Sequence, residues 1–73
     1  MDWDKLRTFH AAAATGSLTA AAERVGLSQS AVSRQIAALE DGLGVPLFHR
    51  HARGLILTGP GKVLQQSTGQ MAT

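Results

Sequence analysis

TAAAERVGLSQSAVSRQIAALEDGLGVPLF, the run from Thr19 to Phe48, reads as two short amphipathic helices joined by a tight turn at Gly26. In the second helix Val32, Ile36, Leu39 and Leu43 recur at i, i+4, i+7 and i+11, which is one stripe of an α-helix and requires a core beneath it. Successive side chains turn by about 100°, so Ser30 and Arg34 point away from that stripe, with Ser33 on one flank and Gln35 on the other. Ser28 stands where an N-cap belongs, its hydroxyl oxygen able to accept from the unpaired amides of the first turn, and the helix should begin at Gln29. The pattern is that of a helix-turn-helix.

The chain on either side fits the same plan. Leu6, Phe9 and Ala13 form the inner stripe of a first helix that Trp3 helps to pack, and Gly16 is expected to stop it. Thr19 is expected to cap the second helix, with Leu18 as an apolar staple, Ala21, Ala22 and Val25 facing inward, and Leu27 filling the corner after Gly26. Small residues at Ala11 to Ala14 and Ala20 to Ala22 permit close helix approach. Gly42 and Gly44 break the third helix, and Pro46 forces Val45 out of helical geometry. Leu47 to Arg50 and Leu55 to Leu57 then read as two short strands around His51, Ala52, Arg53 and Gly54, a hairpin wing. Thr58 can cap a last helix with Pro60 in its first turn, weakened towards its end by Ser67, Thr68 and Gly69.

The outer face of the third helix has the chemistry of a nucleic-acid reader. Arginine can grip guanine and glutamine can pair with adenine in the major groove, and the exposed amides and dipole near Ser28 and Gln29 favour a phosphate. The net charge of the 73 residues is only +2, but Asp2 and Asp4 lie at the amino end whereas Arg24, Arg34, Arg50, Arg53 and Lys62 lie on or after the motif, so one side should be basic. With no cysteine, neither a disulfide scaffold nor a cysteine-based zinc site can form. No apolar run is long enough to span a membrane, and Asp2, Asp4, Lys5 and Arg7 interrupt the start as they would not in a signal peptide. A soluble, cytoplasmic protein is the expectation.

Over nearly the whole chain, from about Asp2 to Gly61, the sequence resembles the amino-terminal domain of the LysR-type transcriptional regulators. Their pattern is close to FxxVAexGSFtxAAexLxxSQpAVSxQIxxLExxLGxxLFxR, against FHAAAATGSLTAAAERVGLSQSAVSRQIAALEDGLGVPLFHR here. Two departures stand out: Ser30 replaces a proline, on the reading face, and His10 replaces an apolar residue. The resemblance implies a mainly α fold, a winged helix-turn-helix with a three-helix core, a two-stranded β-hairpin wing and a C-terminal linker helix. Residues 1–58 would be the DNA-binding domain and 59–73 the start of the linker helix.

The function it implies is sequence-specific binding of double-stranded DNA in transcription regulation. Gln29, Ser30, Ser33 and Arg34, flanked by Gln35, would read the major groove. Arg50 and Arg53 of the wing would approach the backbone or the minor groove, where arginine reads width more than sequence, and Ser28, Thr19 and Thr58 would touch phosphates. By the same resemblance, a homodimer joined through the linker helix would meet an interrupted inverted repeat. A small-molecule effector would act only through a larger effector-binding domain that these 73 residues lack. No cofactor is implied.

Other readings weigh less. His49 and His51 share a strand face, but two ligands are too few for a closed metal site and His10 lies in the first helix, so no metal is expected. Glu40 reads as structural, pairing with a neighbouring helix or charge, because DNA would repel it. An enzyme is not expected: there is no cysteine nucleophile or Gly-rich phosphate loop, and the adjacent Glu40 and Asp41 cannot flank a substrate. The rivals are a protein-interaction module using its last helix, and the winged helix of molybdate-responsive regulators.

Overall fold

A computed structural model of the chain describes residues 3–52 and 54–72. Its elements are α1 (Trp3–Thr15), α2 (Leu18–Val25), α3 (Gln29–Leu43), β1 (Phe48–His51), β2 (Gly54–Leu57) and α4 (Gly59–Ala72). This is the winged helix-turn-helix anticipated above.

Alanine-rich α1 is a strong helix former, with Asp4 suitably placed against the positive end of the helix dipole. Its Ala11 and Ala12 meet Ala21 and Ala22 of α2 in the buried core, where short side chains let the two helices close up. Phe9 fills the centre: its ring is buried and lies 5.4 Å from that of Phe48, tilted by 49°. From α3, Val32, Ile36 and Leu39 complete the core, so three of the four stripe residues are buried as expected. The fourth is not. Leu43, 40% exposed, extends past the core at the end of α3, and Trp3 and Leu27 are likewise exposed rather than packed.

Helix ends were legible to within a residue or two. Ser28 caps α3, accepting from the Ala31 amide at 3.1 Å, and Gly26 closes α2 in the left-handed conformation with φ 74°. The cap of α2, however, is Ser17 and not Thr19: Ser17 Oγ accepts from the Ala20 amide at 3.2 Å. Starting the helix at Leu18 brings that side chain against the core, whereas a cap at Thr19 would keep it in an extended segment. Gly42 does not break α3 either; the helix runs through it and ends at Gly44, whose amide donates to the Glu40 carbonyl at 2.8 Å.

The hairpin is antiparallel, with Phe48 opposite Leu57, His49 opposite Ile56, Arg50 opposite Leu55 and His51 opposite Gly54. It starts one residue later than the sequence indicates: the Leu47 carbonyl still accepts from the Thr58 amide opposite it at 3.0 Å, but the Leu47 amide is diverted to Glu40 Oε2 at 2.6 Å. Glu40 is structural, as expected, but its partners are backbone amides, Leu47 and also Phe48 at 3.3 Å, and not a side-chain charge. It thereby fastens the wing to the end of α3. Replacing Glu40 by alanine would leave two amides without their acceptor. Denaturant unfolding should register a loss of about 2 kcal/mol, with Glu40→Gln retaining part of it; an unchanged midpoint for Glu40→Ala would remove this bracing role.

At the other end of the wing, the Leu55 amide donates to the Gly16 carbonyl at 2.9 Å, tying β2 to the turn between α1 and α2. The last helix docks on the first through the residue that departs from the family pattern. Thr68 Oγ1 donates to the Leu64 carbonyl at 2.7 Å, which leaves its lone pairs for His10 Nε2 at 2.5 Å. An apolar residue at position 10 could not make that link.

Candidate nucleic-acid interface

The capped start of α3, the start of α2 with its exposed Thr19, and the wing converge on one side of the molecule. Gln29, Ser30 and Arg34 are exposed along α3 on the side opposite Val32, Ile36 and Leu39. Ser33 is half-buried on the flank, where Arg50 Nη2 donates to its Oγ at 2.8 Å. Between α2, α3 and the wing lies an open cleft of about 420 Å³, lined by Ser17, Leu18 and Thr19 from α2 and its cap, Gln29 from α3, and Arg50, His51 and Ala52 from the wing. No carboxylate lines it, and none occurs in the sequence between Glu23 and Glu40. The acidic pair Glu40 and Asp41 instead borders a separate shallow depression with Gly44, Val45 and Pro46 at the far end of α3. The domain therefore offers amides, hydroxyls and guanidinium groups on one side, and the carboxylates of α3 lie at its far end.

Not every residue singled out from the sequence reaches this side. Thr58 is 6% exposed; its hydroxyl donates to the Pro46 carbonyl at 2.7 Å and accepts from the Gly61 amide at 3.0 Å. A phosphate oxygen needs a donor, and the single proton of Thr58 is directed to Pro46, so this residue caps α4 as expected and faces the protein rather than the open side. Gln35 is half-buried, its Oε1 accepting from the Thr8 hydroxyl of α1 at 2.5 Å, which turns it from the outer face towards the core. Ser28 and Thr19 are exposed at their helix starts. Arg53 lies outside the described residues.

Two features of this side escaped the sequence reading. Ser17 and Leu18 line the cleft because the cap of α2 lies two residues earlier than expected. Arg50 bonds to Ser33, and strand alternation could have indicated it: Phe48 faces the core, so Arg50, two residues on, shares that face of the hairpin. His49 and His51 take the opposite face, and among the described residues no third side chain joins them to make a metal-binding group.

Comparison with known proteins agrees with this geometry. A family model described as "Bacterial regulatory helix-turn-helix protein, lysR family" matches residues 3–62. The HTH-type transcriptional regulator TfdS of Cupriavidus pinatubonensis is 48% identical over 71 residues, which cover 97% of this chain and 24% of that protein. The chain thus spans about a quarter of the length of that relative. Among solved structures, the CbnR DNA-binding domain in its DNA complex superposes with a TM-score of 0.93 at 38% identity, covering 99% of this chain and 83% of that one. The BenM DNA-binding domain in complex with catB site 1 DNA also gives 0.93, at 33% identity, covering 99% and 81%. On its sequence and its fold together, the chain belongs to the LysR family of bacterial regulatory helix-turn-helix proteins.

Proposed function

We propose that this chain binds double-stranded DNA sequence-specifically, as the reading domain of a transcriptional regulator working in the cytoplasm without catalytic chemistry of its own. One observation carries the proposal: an exposed run of Gln29, Ser30 and Arg34 on a helix whose opposite stripe is anchored in the core, in a segment without carboxylates. In this reading residues 1–58 form the DNA-binding domain and 59–73 begin a dimerisation helix. Gln29, Ser30, Ser33 and Arg34 meet base edges, Ser28 and Thr19 meet phosphates, and Arg50 and Arg53 bring the wing to the duplex. The solved complexes of CbnR and BenM domains with DNA support it.

A homodimer joined through α4, reading an interrupted inverted repeat, is part of the same proposal. Its support is a shallow apolar groove of about 420 Å³ lined by Leu43, Val45, Leu47, Pro60, Val63 and Leu64, in which Val63 of α4 is 64% exposed. A second copy of the chain would bury these side chains.

Selection from a library of random duplexes at near-physiological salt tests both parts. Enrichment of a two-fold symmetric site is the expected result; an enriched half-site would retain recognition and remove the dimer. Retention of every sequence alike, weak and salt-sensitive, would reduce the function to phosphate binding and favour an interaction module. Within the selected site, Arg34→Ala should weaken binding by about 1–3 kcal/mol and relax the preference at one base position. Equal losses on all sequences would instead make Arg34 a phosphate ligand.

A further inference from the structure

The hydrogen bond between Arg50 and Ser33 joins the wing to the outer face of α3. Strand geometry sets its direction, since Phe48 is buried against Phe9 and Arg50 shares its side of β1. A serine or threonine within a helix can spend its proton on the carbonyl four residues back. Thr15 and Thr68 do so here, donating to the carbonyls of Ala11 and Leu64 at 2.8 and 2.7 Å. Ser33 differs: it accepts from Arg50, which is its hydrogen-bond partner among the described residues. Its own proton is left uncommitted, and the positive guanidinium at its lone pair directs that proton away from Arg50. The result is a half-exposed hydroxyl, beside Gln29, Ser30 and Arg34, biased towards donating.

We propose that Arg50 is a positioning residue for sequence discrimination, acting through Ser33. By occupying a lone pair of Ser33 Oγ it makes that hydroxyl a donor towards the major groove. The base facing Ser33 is then selected for an acceptor, such as guanine O6 or N7 or thymine O4, and against the amino group of cytosine. The inference rests on the DNA-binding reading above. It gives the wing a part in base discrimination through a side chain that need not touch a base.

The test is the same duplex selection applied in parallel to the unmutated chain, Ser33→Ala, Arg50→Ala and the double variant. The unmutated chain should favour an acceptor at one position. Ser33→Ala and Arg50→Ala should each reduce that preference about fivefold, the worth of one hydrogen bond, at the same position. The double variant should lose no more than either single one, because both act on one contact. Arg50→Lys, which retains an N–H donor on a long stem, should recover part of the preference. The proposal is overturned if Arg50→Ala lowers affinity equally on all sequences, flattens the salt slope by about one unit and leaves the Ser33 preference intact, the signature of a phosphate ligand. Additive losses, or losses at different positions, overturn it as well. Arg50 is exposed, so its alanine variant should retain the helical circular dichroism of the unmutated chain; a lost signal would make Arg50 a fold-supporting residue and equally end the proposal. Failure of the DNA-binding reading is distinguishable, because it would show in the unmutated chain as an absence of any enriched site.

Discussion

Val32→Asp is expected to leave no folded domain. Val32 is fully buried at the centre of the core, among Phe9, Ile36 and Leu39 and the alanines of α1 and α2. An aspartate there brings a carboxylate in among apolar side chains and removes apolar contacts as well, at a cost of several kcal/mol. A domain of this size has roughly 4–11 kcal/mol of stability in total, and the low end of that range is consumed outright. Circular dichroism should show no cooperative thermal transition, and binding to every duplex should vanish together. A variant that melts within a few degrees of the unmutated chain would mean that Val32 is not in the core. The contrast with Arg34, two residues and just over half a turn further along the same helix, is informative: its replacement should alter recognition and leave melting unchanged.

Gly54→Ala should produce the second-largest loss, for reasons of backbone rather than of polarity. Gly54 opens β2 with φ 132°, a region side chains rarely adopt, and a Cβ built on it would collide with the Gly16 carbonyl oxygen. That carbonyl is the acceptor for the Leu55 amide, so moving it aside would also weaken the tie between the wing and the α1–α2 turn. Strain and overpacking of this kind cost about 1–3 kcal/mol each. A combined loss of about 3 kcal/mol would lower Tm by roughly 15 °C in so small a domain. Gly42→Ala provides the opposite sign: Gly42 is helical with nothing within 4 Å of a Cβ, so alanine should stabilise α3 by up to about 1 kcal/mol. If the two substitutions had equal effects, the close approach of β2 to Gly16 could not be governing the wing.

These two glycines show where sequence reading stopped. Gly42 looked like a helix breaker because glycine is a poor helix former, yet the gain from carrying α3 on to Gly44, and with it the Glu40 anchor to the wing, outweighs that penalty. Gly54 looked like an ordinary loop residue, because its constraint comes from a carbonyl 38 positions earlier in the chain. The cap of α2 followed the same logic. Ser17 and Thr19 are both good capping residues, and burial of Leu18 decided between them.

The sequence alone determined the helix-turn-helix, the cap at Ser28, the core stripe of α3 and the outward direction of Ser30 and Arg34. Periodicity and capping are local: they depend on residues within a turn or two, which the chain displays directly. Tertiary structure alone decided which polar side chains remain available to a ligand. Thr58 and Gln35 carry the right groups for an interface, but Pro46, Gly61 and Thr8 use them first. Arg50 was expected to approach DNA as part of the wing, and folding also brings it to Ser33, 17 residues away along the chain. A hydrogen-bonding group goes to whichever partner folding brings within 3 Å or so, and such partners come from other elements, so no window of sequence contains them.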